Sequence, residues 1–191
     1  MLVTRLRFPS MNSLLQRQIT WLGLLGLLIL FSGCREDRGE RLFEIIYEPI
    51  QFQLPAGLAF PNSWVLQQVP VNSRFAEMLD QTNTSSGEVT AVGGAFARLI
   101  AVDGNDFSNL SSVAIRMCAV GETACTEADE VFYLDDLFGR RQTTLRLNPG
   151  LRNIKPLIES GNFMMELIVT PAVSTQANIT CRLEYSLEVV R

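Results

Sequence analysis

The sequence predicts an all-β fold: an antiparallel β-sandwich of about seven or eight strands with one or two short helices, preceded by a signal peptide. Three observations lead there. Ile179, Cys181, Leu183, Tyr185, Leu187 and Val189 alternate with Thr180, Arg182, Glu184, Ser186 and Glu188. That unbroken period of two is the spacing of a half-buried strand. Turn-forming residues punctuate the chain at short intervals, as an antiparallel sandwich requires. Only two short windows read as helix.

Residues 50–54 alternate apolar and polar between Pro49 and Pro55, which suits an edge strand. Residues 55–63 carry Gly57, Pro61 and Asn62 and read as a turn, and 64–69 as a second strand. In residues 73–81, Phe75, Met78 and Leu79 fall on one helical face, with Asn72 or Ser73 as the cap. The polar stretch 81–87 (QTNTSSG) is a loop. Residues 89–102 form one long strand or two pieces broken at Gly93-Gly94, where paired glycines mark a bulge or a close backbone approach.

Asp103-Gly104-Asn105-Asp106 is a turn. The next strand places Val113, Ile115 and Met117 on one face and Arg116 and Cys118 on the other. Residues 131–134 and 143–147 are strands, with Leu145 and Leu147 facing in. Residues 153–160 make one or two helical turns, because Pro156 is tolerated only in the first turn and Gly161 stops the helix. Residues 163–170 form a strand ended by Pro171, and 179–189 form the last.

The N-terminal segment follows different rules. Residues 1–33 hold Arg5, Arg7 and Arg17 and no acid, followed by the apolar run WLGLLGLLILF (21–31) and then Ser32, Gly33 and Cys34. A positive region, a short apolar region and a small-residue exit describe a secretory signal peptide. The run is short for a transmembrane helix, which needs about 20 residues. A start at Met11 would give a signal of more ordinary length.

Leu30-Phe31-Ser32-Gly33-Cys34 resembles the lipobox of bacterial lipoproteins. The resemblance implies that residues 1–33 are removed and that Cys34 carries the acyl anchor. Several acyl chains hold a protein stably where one would not. An ordinary signal with a chance cysteine, or an uncleaved anchor, is the alternative reading of the same residues. Arg35 in place of aspartate after the cysteine implies the outer membrane by the same resemblance. Arg35-Glu36-Asp37 is similar to the tag that directs some such lipoproteins to the cell surface. The expected organisation is therefore signal peptide 1–33, tether 34–40 and β-sandwich domain 41–191.

Three of the sixteen basic residues precede Cys34 and none of the twenty acids does, so the remainder has thirteen bases against twenty acids, a net −7. This argues against nucleic acid and against electrostatic docking on anionic lipid. The chain has no histidine, which removes the commonest general base and metal ligand and the Ser-His-Asp and Cys-His arrangements. No enzyme and no cofactor are expected.

In an oxidising compartment three thiols remain after Cys34. Cys118 and Cys125 are separated by AVGETA and can flank a hairpin loop. Their pairing is expected, with Cys118–Cys181 or no bridge as the rivals. Cys181 lies on the inward face of the last strand. Asp103, Asn105 and Asp106 offer oxygens to calcium, but their spacing departs from the DxDxDG loop and also reads as a plain turn. Asp129, Glu130, Asp135 and Asp136 are a further carboxylate group, best read as an acidic loop. Tyr47, Trp64, Tyr133 and Tyr185 are candidates for stacking on sugar rings, against which core packing is the simpler explanation.

The segments DFSNLSSVAIRM (106–117) and LRNIKPLIESGNFMMELIV (151–169) are similar in pattern to small β-sandwich lipoproteins of Gram-negative envelopes, over roughly residues 89–190. The expected function is a non-enzymatic binding or structural module in the outer membrane, on its periplasmic face or at the cell surface. Its expected partners are the membrane, through Cys34, and an envelope protein or glycan. A carbohydrate-binding module and a carboxylate-pair hydrolase are the alternatives.

Overall fold

Apolar residues at every second position commit a strand to burying one face, and the chain repeats this pattern through residues 39–191, the part described by the computed structural model. Among the described residues the strands are β1 (Arg41–Ile46), β2 (Ile50–Leu54), β3 (Trp64–Asn72), β4 (Ala91–Ala101), β5 (Leu110–Ala119), β6 (Glu130–Leu134), β7 (Thr144–Pro149), β8 (Asn162–Pro171) and β9 (Ile179–Val190). Two short helices, α1 (Phe75–Thr82) and α2 (Lys155–Glu159), follow β3 and β7. The signal peptide, Cys34 and the tether up to Arg38 lie outside the described residues.

All strand pairings are antiparallel, in the order β1-β9-β4-β7-β6-β5-β8-β3, with β2 also on β9. The pairings link into one curled sheet, which gives the expected all-β, sandwich-like class. The strand that turns the corner is β7. Its Thr144–Leu147 part pairs with β4, and its last residues, Asn148 and Pro149, pair with Tyr133 and Phe132 of β6. Pro149 cannot donate to a ladder, and the pairing ends there.

The layers close on a single core. Cys181, Leu183, Tyr185, Leu187 and Val189 of β9 all face in, with Ile115 and Met117 of β5 and Leu167 and Val169 of β8. Aromatic contacts seal the open side opposite β7. The Tyr47 ring stacks on Tyr185 at 4.7 Å and meets Phe163 edge-on at 5.9 Å. Its hydroxyl donates to the Ser73 carbonyl at 3.0 Å, as a buried phenol requires. Phe52 of β2 stacks on Trp64 of β3 at 5.3 Å, and Phe43 of β1 lies 6.4 Å from Phe75 of α1.

Strand β1 is a correction to the sequence reading. Residues 41–46 fall within the expected domain but are assigned no strand, because Arg41 and Glu44 interrupt the apolar pattern, yet Phe43 and Ile45 face the core and pair with Val189 and Leu187. The ninth strand exists because β9 offers it a free edge. Strand β3 also runs beyond residue 69, through Pro70 to Asn72, with a register shift between Gln68 and Val71. Pro70 is accommodated because β3 is an edge strand.

Residues 91–101 form one strand with a register shift between Gly94 and Phe96. Gly94 is also a close approach between layers: a Cβ there would lie 2.7 Å from the Phe132 ring of β6. Helix α2 starts as its proline dictates, with Pro156 in the first turn. The chain's only lysine, Lys155, donates to the carbonyls of Val89 (2.8 Å) and Ser86 (3.3 Å), fixing α2 to the segment before β4.

The antiparallel registers sort the connections into two ends. Both helices, the start of β1 and the Cys118–Cys125 hairpin lie at one end. Loops 55–63, 102–109, 135–143 and 172–178 lie at the other.

Candidate functional site

Loops held by a rigid scaffold carry most binding surfaces, and the four loops at the second end are bound to one another. Thr175 is the pivot of the first junction. Its amide donates to the Leu58 carbonyl at 2.9 Å, its hydroxyl donates to the Pro55 carbonyl at 2.9 Å and accepts from the Leu58 amide at 3.0 Å, and its carbonyl accepts from the Gly57 amide at 2.8 Å. The Asn178 side-chain oxygen accepts from the Ala56 amide at 2.7 Å. Loop 55–63 is therefore tied to loop 172–178.

Loop 172–178 is tied in turn to loop 102–109. The Asn109 carbonyl accepts from Ala172 at 2.8 Å, and the Asn105 side-chain amide donates to the Asn178 carbonyl at 3.2 Å. Loop 102–109 joins loop 135–143 through the amide of Gly139 to the Ser108 carbonyl (2.9 Å) and that of Phe107 to the Gln142 carbonyl (3.0 Å). Phe107 and Leu137 are buried and pin these loops to the core.

On this platform large apolar side chains face outward. Phe60 is 70% exposed, Phe138 61%, Val102 50% and Val173 42%, one from each of the four loops or its border. Beside them a pocket of about 230 Å³ is lined by Gly104, Asn105, Asp106, Asn109, Gln176 and Ile179. Sequence reasoning treated these stretches as turns and did not single out the four apolar residues. The available signal was a phenylalanine inside each of two turn-rich stretches, at Ala59-Phe60-Pro61 and Leu137-Phe138-Gly139.

The calcium candidates Asp103, Asn105 and Asp106 fall on this platform, where both Asp103 oxygens and Oδ1 of Asp106 accept hydrogen bonds from the chain itself and the Asn105 side-chain amide donates to Asn178. Asp103 accepts the amides of Thr180 (2.6 Å) and Asn105 (3.1 Å). Asp106 accepts the amide and hydroxyl of Ser108 at 3.0 and 2.5 Å. The Thr180 amide holds the Asp103 carboxyl below its usual range, and the Ser108 hydroxyl and amide do the same for Asp106. Among the described residues, no group of three or more His, Cys, Asp or Glu is arranged to hold a metal ion.

The other candidates are dispersed. Tyr47 and Tyr185 are buried and stacked on each other, and burial raises both phenol pKa values. Trp64 packs on Phe52, and only Tyr133 stands on an open face. Asp129 is drawn into the helical end. Burial pushes its carboxyl up, but the Thr126 hydroxyl and amide and the Arg152 guanidinium (2.6 Å) bring it net below its usual range. Burial raises the Glu130 carboxyl, with Arg116 opposing.

Cys118 and Cys125 form a disulfide, with their Cα atoms 5.5 Å apart, inside the 4.4–6.8 Å a bridge allows. They pack with Met164 in a small cluster outside the main core, so Cys118 lies opposite the Met117 face as expected. Cys181 is a buried free thiol in the core, raised by burial to about 12. No protein-family model matches the chain, and no curated protein matches it.

Proposed function

We propose that the protein is a non-enzymatic lipoprotein of the outer membrane, anchored through Cys34, whose loop end binds another envelope protein. The observation that carries this reading is the cross-bonded platform presenting Phe60, Val102, Phe138 and Val173. A surface ordered in advance loses little conformational entropy on binding, and exposed phenylalanines such as Phe60 and Phe138 supply the aromatic area in which interface cores are enriched. The chain enters the domain at the start of β1, at the opposite end. The lipobox-like segment supports the location, and the lack of histidine supports a binding role over catalysis.

Two measurements test this. Cys34→Ala is expected to move the protein from the membrane to the soluble fraction; unchanged fractionation would defeat the anchor. A photoreactive residue at Phe60 or Phe138 is expected to cross-link a discrete protein partner in cells. The same residue at Val65, exposed on the outer face of β3, is the control. Equal cross-linking from Val65, or none from the loops, would defeat the binding surface.

A further inference from the structure

A different face carries an unbalanced cluster of positive charge. On the outer face of the layer built on β9, Arg98 of β4 is the register partner of Arg146 of β7. On its other side Arg98 faces Glu184 of β9. Arg182 lies two residues along β9 on the same face, beside Ile100 and Gln51. Like charges placed directly opposite on a sheet work against folding, so the Arg98–Arg146 pairing is not explained by stability.

One carboxylate serves the group. Glu184 lies 2.5 Å from Arg98 Nε and 2.9 Å from Arg182 Nε. Arg146 makes no ion pair among the described residues. The Arg182 contact is Coulombic only: its Nε is shut off from solvent, yet the angle to Glu184 misses hydrogen-bond geometry and the N–H has no acceptor. The Phe96 ring holds two of the heads, with the guanidinium carbons of Arg98 and Arg146 at 5.5 and 5.9 Å from its centre. Three guanidinium groups against one carboxylate leave two positive charges, on a chain that is otherwise acidic.

We propose that this face binds a phosphomonoester, carried by a phosphorylated sugar. Its charge of about −1.5 to −2 at neutral pH matches the excess, and its three terminal oxygens match donors arriving from three neighbouring strands. A carboxylate offers one charge and is satisfied by a single arginine fork. Arg98 is the middle member, about 4.8 Å from Arg146 on the next strand and about 7–8 Å diagonally from Arg182, so the long side chains of Arg146 and Arg182, two strands apart, can converge on one group above Arg98. Gln51 and Thr144, both exposed register partners of this patch, supply neutral groups for sugar hydroxyls. Further along the same face Glu44 pairs in register with Glu188. Those two acids disfavour a flat anionic bilayer or an extended polyanion.

The test is a titration of the membrane-extracted protein, followed through its arginine Nε–H resonances. The ligands are inorganic phosphate, glucose 6-phosphate, glucose, and phosphatidylcholine vesicles with or without phosphatidic acid. Saturable shifts are expected at Arg98, Arg146 and Arg182 with phosphate, at lower concentration with glucose 6-phosphate, and none with glucose. Arg140 and Arg141, exposed in loop 135–143, should not move. Arg146→Gln, which breaks no ion pair, should weaken binding roughly tenfold. A stronger response to phosphatidic acid vesicles than to glucose 6-phosphate would uphold the phosphate site and overturn the sugar as its source. Unsaturated drift, equal shifts at Arg140 and Arg141, or unchanged affinity in Arg146→Gln would overturn the site.

Discussion

The carboxylate of Glu166 accepts the backbone N–H of Cys125 at 3.1 Å, across 41 residues of sequence. Glu166 points to the outer face of β8 yet is only 4% exposed, and its other oxygen accepts from the Gln67 side chain at 3.2 Å. The disulfide explains the burial. It folds the β5–β6 connection back over the strand, and Cys118, Cys125 and Met164 pack together beneath it. A carboxylate shut off from water must be hydrogen-bonded, and these two donors meet that need.

Removing this carboxylate should loosen the flap as well as the fold. Glu166→Ala is expected to lower unfolding stability by about 1–3 kcal/mol, since it leaves the Cys125 amide without its acceptor. Urea denaturation measures the loss. Amide exchange at Cys125 should accelerate beyond the change at Ile115 in the neighbouring strand. Equal acceleration at both sites would mean that the bond does not hold the flap.

The disulfide should be the only bridge among Cys118, Cys125 and Cys181. Mass spectrometry without reduction is expected to yield a Cys118–Cys125 peptide and an unmodified Cys181; a Cys118–Cys181 peptide would refute the arrangement. Cys118→Ala with Cys125→Ala should cost roughly 2–3 kcal/mol, as chain entropy predicts for a loop this short.

Alkali should destabilise the domain through its buried acids. The Cys181 thiol is raised by burial to about 12, and burial also raises Tyr47 and Tyr185. In the unfolded chain a thiol loses its proton near pH 8.5–9 and a phenol near pH 10. The unfolded state then binds fewer protons than the folded one, so stability falls as pH rises. It should be complete below about pH 8.5 and decline from pH 9 toward 12. Urea midpoints at pH 8, 10 and 11 should fall in that order, and Cys181→Ala should flatten the first part of the decline. A midpoint independent of pH would contradict the burial of all three groups.

Gly94→Ala tests the approach of the two layers. The added methyl would lie 2.7 and 2.8 Å from the Phe132 ring and 3.0 Å from the Val131 carbonyl. Overpacking of this kind costs about 1–3 kcal/mol. Gly104→Ala does not serve as a comparison, because the positive φ of Gly104 (84°) adds backbone strain of its own. Gly87→Ala does, since its nearest neighbour would be 3.9 Å away. Equal losses at Gly87 and Gly94 would remove the steric explanation.

The strands that were legible in the sequence are those whose pattern is set locally. Residues 50–54 match β2, because two prolines bound one short alternation. The last strand is legible because its period of two is unbroken, and α2 because Pro156 and Gly161 delimit it. β1 was not legible: Phe43 and Ile45 are too few to outweigh the charges around them, and its order comes from pairing with β9. The turn at Asp103–Asp106 was legible, but Asp103 also binds the Thr180 amide 77 residues away, and no local pattern encodes that contact.

By itself the sequence determined the all-β class, most strand positions, the inward face of β9 and the side of β5 on which Cys118 lies, because each depends on periodicity or turn chemistry within a few residues. Only the tertiary structure decided that β7 joins both layers, that four distant turns form one platform, and that Arg98, Arg146 and Arg182 share a patch. Those arrangements arise from strand order and register, which depend on long-range pairing rather than on the residues next door.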